Sequence, residues 1–466
     1  MEGLFDRMGR RALLHNRARV DRFKLASRKH VRARLLADAR IGEAVRLHAT
    51  EQNVAESEVW KKVDGYVHEI VPFFNVVAYY QLGYRVAGWL LNLFYKVSVD
   101  FAEPGAGDPL PRDAVLVYVM NHRSNADYIL VSYGLAGQVA ISYAVGEWAR
   151  AFPLELVFKA FGSYFIRRRY REPLYHTVLE RYVQLITREG VTQGIFVEGG
   201  LTRDGKLRPP KIGLLDYVLG IGREPEYAAR LHVVPVAVNY DRVLEDRSLL
   251  RELAVKEGGR PPSRLVQAGE VARYIGWNMG RLLSRRWKRY GRAAVVVGAP
   301  IPLAPWFAEH RDLFTLEKAD RLARVQTLCD GLLERVGLLI PVTPVPLVCA
   351  AIQSFDGDFI MRDQLFERID EMRGVLRELN ARVLRDDRSV EELFERAYRM
   401  LRMRRVIART GEGFLVLPKG RPLVSYYANS VAHLLGPFAN AVRARDALPV
   451  MAGFTSPAAQ RESSPR

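Results

Sequence analysis

A chain of 466 residues, 49% of them hydrophobic, is too long for one small core and apolar enough to pack several layers. Its two cysteines, Cys329 and Cys349, have neither CxxC spacing nor nearby histidines; this excludes a disulfide framework and a cysteine metal site, and fits a reducing compartment. The formal net charge of +18 calls for an anionic partner: nucleic acid, a lipid surface, an acidic carrier protein or a phosphorylated substrate.

Residues 1–65 read as a basic helical region. Its start, "MEGLFDRMGRRALLHNRARVDRFK", is rich in arginine but has no apolar core of the kind secretion needs. Glu2, Asp6 and Asp21 count against a transit peptide. Next comes the most apolar stretch, "EIVPFFNVVAYYQLGYRVAGWLLNLFYK" (Glu69–Lys96). Gln81, Arg85, Asn92 and Lys96 share one side at helical spacing. The segment therefore reads as an amphipathic membrane-interface helix near 70–96, with Tyr79, Tyr80, Tyr84, Trp89 and Tyr95 at headgroup level. A spanning helix would bury Arg85, at a cost on the order of a few kcal/mol. A helix packed on its own domain would show the same pattern.

The domain expected over 66–305 alternates β-rich runs with helical segments. The runs are "AVLVYVM" (Ala114–Met120), "GSYFIRR" (Gly162–Arg168), "GIFVEGG" (Gly194–Gly200), "VVPVAVNY" (Val233–Tyr240) and "AAVVVGAPI" (Ala293–Ile301). Amphipathic stretches such as Pro173–Glu189 lie between them. The pattern predicts an α/β fold with a mixed sheet flanked by helices, between helical N- and C-terminal regions. Residues 306–440 read as mainly helical and charged, and 441–466 as a disordered tail. No internal repeat is visible.

Chemistry is expected where strands end. His122 follows "AVLVYVM", and Ser124 or Asn125 can cap the next helix. On one helix His122 and Asp127 would point about 140° apart, and on one strand to opposite faces. A strand-to-helix turn can bring Asp127 back against the imidazole, fixing its tautomer so that His122 takes a proton from a hydroxyl. Taken alone, the pair reads equally well as a capping Asp beside an unrelated loop His. Other strand ends add to it: Arg167, Arg168 and Arg169 in one, and Glu198, Gly199 and Gly200 with Arg203, Lys206, Arg208 and Lys211 in another. Glycines allow close backbone approach and cations neutralise phosphate, so a base, a phosphate clamp and glycine turns at one sheet edge suit acyl or phosphoryl transfer. There is no GxSxG, Walker loop or GxGxxG, so no nucleotide cofactor is implied.

"NHRSNAD" resembles the first block of the glycerol-3-phosphate acyltransferase family, whose core is H-x4-D. "GSYFIRRR" is similar to its second block, "FVEGGLTRDGKLRPPKIG" to its third and "VVPVAVNYDRVLE" to its fourth, in the same order and spacing. "LLADARIGEAV" and "VSYYANSVAHLL" extend the likeness to the larger bacterial branch, over about 35–440. The resemblance implies acyl transfer from acyl-CoA or an acyl carrier protein to the 1-hydroxyl of glycerol 3-phosphate, giving lysophosphatidate for phospholipid synthesis. It implies His122 as general base oriented by Asp127. Arg167, Arg168, Glu198, Gly199, Gly200 and Arg203 would form the acceptor region, and Pro235 the acyl-donor side. No metal, cofactor or covalent acyl-enzyme is implied.

The expected setting is the cytoplasmic face of the cell membrane, held peripherally or monotopically to an anionic surface. Nucleic acid is not an expected partner, because the charge is spread along the chain without a recognised module. One departure stands out. Leu201 occupies the place of the family's arginine after the two glycines, which leaves room for another acceptor, such as dihydroxyacetone phosphate or a lysophospholipid. Lys206, Arg208 or Lys211 would have to compensate. A non-catalytic, basic membrane-binding protein on the same fold is the rival of a different class.

Overall fold

Valines at alternate positions give the strand Val115–Met120 two apolar faces, and it is buried along its whole length. Val115, Val117 and Val119 enter one core, and Leu116, Tyr118 and Met120 the other. This strand lies inside an eight-stranded sheet. The strands are β1 (Lys96–Phe101), β2 (Val115–Met120), β3 (Ser142–Gly146), β4 (Tyr164–Ile166), β5 (Gln193–Phe196), β6 (Leu231–Tyr240), β7 (Arg292–Val297) and β8 (Ile301–Pro302). The computed structural model describes residues 28–73, 84–102, 106, 110–111, 113–135, 139–146, 158–167, 170–258 and 289–436.

The order across the sheet is β1-β7-β6-β2-β5-β3-β4, with β8 also beside β6. Strands β6, β2, β5, β3 and β4 run parallel. β7 and β8 run antiparallel to β6, and β1 runs parallel to β7, so the sheet is mixed. The five parallel strands all end at one edge, where their following loops converge. Pro235 lies within β6 opposite Val119. It falls between the part of β6 paired with β8 and the part paired with β7, where its missing N–H leaves no ladder bond unmade.

One face of the sheet is covered by helices Arg28–Leu36, Ala39–Gln52, Glu56–Ile70, Pro173–Arg188, Gly213–Leu219 and Lys318–Leu338. The other is covered by Tyr84–Phe94, Asp127–Leu135, Pro344–Gln353, Arg362–Glu378, Val390–Met403 and Arg421–Asn429. Val345, Leu347, Val348 and Cys349 share one core with Val234, Val236 and Val238, so packing runs across the expected boundary at 305. The C-terminal region also holds a small antiparallel sheet, Ile407–Thr410, Gly413–Val416 and Phe359–Met361 in that order. Strands this short show no alternation in the sequence.

The segment near 70–96, read as one helix, is described only in part. The helix Glu56–Ile70 closes before Val71, which has extended angles (φ −73°, ψ 117°). Pro72 imposes this, because the residue before a proline is driven out of the helical region. Residues 74–83, including Tyr79, Tyr80 and Gln81, lie outside the described residues, as do 1–27 and the expected tail. The next described helix, Tyr84–Phe94, has 11 residues. It leaves Trp89 63% exposed, with Arg85 also on the surface. Among the described residues no helix is long and apolar enough to cross a membrane.

Candidate active site

Asn121 ends β2 by continuing it. Its side chain donates to the Val238 carbonyl (3.0 Å) and accepts from the Val238 N–H (2.8 Å), so the side chain takes over the pairing with β6. The backbone is thereby released into a tight turn, and the helix Asp127–Leu135 follows at once. Asp127, in the first helical turn, points back at the turn. Its Oδ2 accepts from the backbone N–H groups of Arg123 (2.7 Å) and Ser124 (2.9 Å), and lies 2.9 Å from Nδ1 of His122. Its Oδ1 accepts from the Tyr240 hydroxyl at the end of β6, at 2.6 Å. Asp127 therefore ties the turn together and sits against the imidazole. Its side-chain partners are the two turn N–H groups, the imidazole and the Tyr240 hydroxyl, and not the helix's own N–H groups, so the paired reading of the sequence describes this geometry and the capping one does not.

The carboxylate beside Nδ1 sets the tautomer: Nδ1 carries the proton and Nε2 is the basic nitrogen. The ring is 1% exposed and is clamped by aromatic neighbours. It stacks on Phe196 (4.1 Å between centroids) and meets Tyr128 edge-on (5.4 Å). Burial keeps the Tyr240 phenol well above its ordinary range, so it remains a donor to Asp127.

Glu198 follows β5 and is 1% exposed. Its Oε1 accepts from the His122 N–H (2.8 Å) and its Oε2 from the Arg208 N–H (3.0 Å). Burial pushes its carboxyl up to about 7, against the opposing pull of those two N–H groups. Its visible work is to tie the His122 turn to the basic loop. Gly199, at φ +67°, starts that loop; a Cβ there would lie 2.6 Å from Cδ of Lys211. The loop closes through the Thr202 N–H to the His122 carbonyl (3.3 Å) and the Lys211 N–H to the Val197 carbonyl (2.7 Å). Glu245 completes the edge: Ser124 Oγ (2.7 Å) and the Asn125 N–H (3.1 Å) donate to it, and burial raises its carboxyl.

The expected cations do not all gather here. Arg167, after β4, meets Glu69 through Nε (2.8 Å) and Nη2 (2.5 Å), among Tyr66, Tyr170 and Tyr175. Arg203 pairs with Glu252 at 2.9 Å. Lys206 and Lys211 are exposed, and Arg208 Nη1 lies 3.4 Å from the Leu201 carbonyl. Leu201 itself packs against the core on the His122 side. Arg168 lies outside the described residues. Pro235 lies within the sheet and not at its edge, with Gly298 donating to its carbonyl at 2.9 Å. Arg123, adjacent to His122 and buried, was not singled out from the sequence, although it stands inside the H-x4-D stretch. Among the described residues no three His, Cys, Asp or Glu side chains gather as metal ligands would.

Residues 106–239 match the Acyltransferase family. Residues 277–446 match the glycerol-3-phosphate acyltransferase C-terminal region. In both regions the chain is thus similar to the glycerol-3-phosphate acyltransferase family. It is 27% identical over 428 residues to a glycerol-3-phosphate acyltransferase of Aeromonas hydrophila, which covers 88% of this chain and 50% of that protein. A protein of the same name from Actinobacillus succinogenes is 26% identical over 431 residues, with the same coverages of 88% and 50%. The chain thus spans about half the length of the curated relatives it matches. Among solved structures it is similar to a 1-acyl-sn-glycerophosphate acyltransferase from Thermotoga maritima, at 18% identity and a TM-score of 0.30, over 55% of this chain and 77% of that one. That superposition is too loose to bear on the site.

Proposed function

We propose that this chain transfers an acyl group from a thioester donor, acyl-CoA or acyl carrier protein, to the 1-hydroxyl of glycerol 3-phosphate. The observation that carries the reading is the buried His122–Asp127 contact of 2.9 Å at the carboxyl edge of the sheet. Nε2 of His122 takes the hydroxyl proton as the oxygen attacks the thioester carbonyl. The tetrahedral intermediate collapses, the carbon–sulfur bond breaks, and the imidazolium returns its proton to the leaving thiolate. Asp127, against Nδ1, orients the ring and stabilises the imidazolium. Glu198 holds the turn that carries His122.

The protein would act from the cytoplasmic face of the cell membrane, held by its basic surface and the exposed side of Tyr84–Phe94. Leu201 supports a second reading, in which dihydroxyacetone phosphate or a lysophospholipid is the acceptor, because one expected guanidinium is absent. The test is acyl transfer by the purified chain in lipid with these acceptors side by side. Glycerol 3-phosphate should give the highest kcat/KM and a 1-acyl product. Faster transfer to either rival acceptor would overturn the first reading in favour of the second.

A further inference from the structure

We propose that Arg123 is the docking point for the phosphate of the acceptor, an inference that rests on the acyl-transfer reading above. Arg123 is 3% exposed. Its Nη1 donates to the Gly205 carbonyl, and its guanidinium lies over the Tyr426 ring, 5.3 Å from the centroid. Nε and Nη2 are buried with no hydrogen-bond partner. These two donors share one edge of the guanidinium plane, the edge that grips an oxyanion side-on through two parallel bonds. The chain uses that edge this way elsewhere. Arg377 meets Asp386 through Nε at 2.7 Å and Nη2 at 2.9 Å, and Arg167 meets Glu69 in the same manner.

At Arg123 the edge is left open. The neighbouring carboxylate, Glu198, has both oxygens engaged by the His122 and Arg208 N–H groups. A buried charged donor without a partner carries a standing cost, and such groups call for a ligand or a role. The hydroxyl of Tyr426 is also buried without a partner. Position points to the acceptor. Arg123 directly follows His122 in the turn after β2, and the loop that receives its Nη1 is tied to the same turn through the Thr202 N–H on the His122 carbonyl. Arg123 then supplies the guanidinium that Leu201 does not.

The open edge is shut off from bulk water beneath the 202–206 loop, which packs against the helix Arg421–Asn429. That contact is held by Asn429 Nδ2 on the Asp204 carbonyl at 2.8 Å. A closed site of low dielectric strengthens the bonds made once the phosphate is seated.

The test is ligand protection of the full chain against thermal unfolding, which needs no turnover. Glycerol 3-phosphate should stabilise the wild type and His122→Ala, whereas glycerol should not. In Arg123→Met and Arg123→Lys the half-saturating concentration of glycerol 3-phosphate should rise about tenfold to hundredfold. Lysine keeps the charge and loses the two-donor edge, so this variant remains informative if Arg123→Met fails to fold. Half-saturation by the acyl donor should move less than twofold. A folded Arg123→Lys protected as well as the wild type overturns the proposal, and so does equal protection of the wild type by glycerol and glycerol 3-phosphate. If glycerol 3-phosphate gives no protection but dihydroxyacetone phosphate or lysophosphatidate protects through Arg123, the acceptor proposed above is wrong while the phosphate subsite stands.

Discussion

Two strand ends on one sheet edge carry arginines, and their surroundings treat them in opposite ways. After β4, Arg167 meets a carboxylate with its whole Nε–Nη2 edge and is ringed by Tyr66, Tyr170 and Tyr175. The hydrogen-bonded Glu69 holds its guanidinium above the ordinary range, against the effect of burial. After β2, Arg123 is more deeply buried, and the same edge is open. A cation at a strand end is therefore not in itself a phosphate site. What matters is whether the protein has already spent its bidentate edge on a carboxylate of its own, and the sequence does not record that. Arg167 reads as a tie between the N-terminal helices and the sheet, and Arg123 as a group kept for a ligand.

The largest effect is expected on the His122 side. Asp127→Asn keeps the shape but puts an amide where the Nδ1 proton needs an acceptor, and kcat should fall about 10⁴-fold, the loss a wrong imidazole tautomer brings. Stopped acyl transfer in a variant with wild-type thermal unfolding would check it; a loss below tenfold would detach Asp127 from the chemistry.

Glu198 comes next. The amide of Glu198→Gln accepts with one oxygen and sets its NH₂ against the N–H of either His122 or Arg208, so kcat should fall about tenfold to hundredfold. The same residue predicts a pH dependence of stability. Burial raises its carboxyl from 4.5 to about 7, so between those values the folded chain holds a proton that the unfolded chain has released. The contribution to stability is full below about 4.5 and fades as pH rises through 7, by about 3 kcal/mol in all. Urea unfolding of wild type and Glu198→Gln across this window should show the slope in the first and lose it in the second.

Arg167→Met should cost about 2 kcal/mol of stability by removing the two-bond contact with Glu69, with the acceptor KM changed less than twofold. A raised acceptor KM without loss of stability would make the two strand ends alike and remove the contrast. The smallest effect is at the surface. Arg85 and Trp89, beside a groove of about 550 Å³ that also includes Asn92, Tyr133 and Arg289, face outward from the helix Tyr84–Phe94. Arg85→Gln should weaken binding to anionic vesicles about fivefold, the worth of about 1 kcal/mol per well-placed arginine, as read by sedimentation. Unchanged sedimentation in both Arg85→Gln and Trp89→Ala would move the membrane contact elsewhere.

Much of the sheet could be read in advance because buried parallel strands are written as short apolar runs, as in Val115–Met120 and Leu231–Tyr240. β3, "SYAVG", was missed, being short and not rich in branched residues. The turn holding His122 and Asp127 was legible because its parts are five positions apart. The fates of the arginines were not, because each depends on a distant partner: Glu69 for Arg167, and Gly205 with Tyr426 for Arg123. The break after Ile70 did have a local signal in Pro72, which the apolar run around it obscured. The continuity of the core past 305 has no local signal, since helix Pro344–Gln353 is apolar in any packing.

The central claim is that His122 is the base of an acyl transfer to glycerol 3-phosphate. Its most direct test is the turnover of purified wild type and His122→Ala in lipid, with a thioester donor and glycerol 3-phosphate. The wild type should form 1-acylglycerol 3-phosphate, and a His122→Ala variant with wild-type thermal unfolding and retained glycerol 3-phosphate protection should be slower by at least about a thousandfold. A folded, ligand-binding His122→Ala that transfers the acyl group at the wild-type rate would contradict the account.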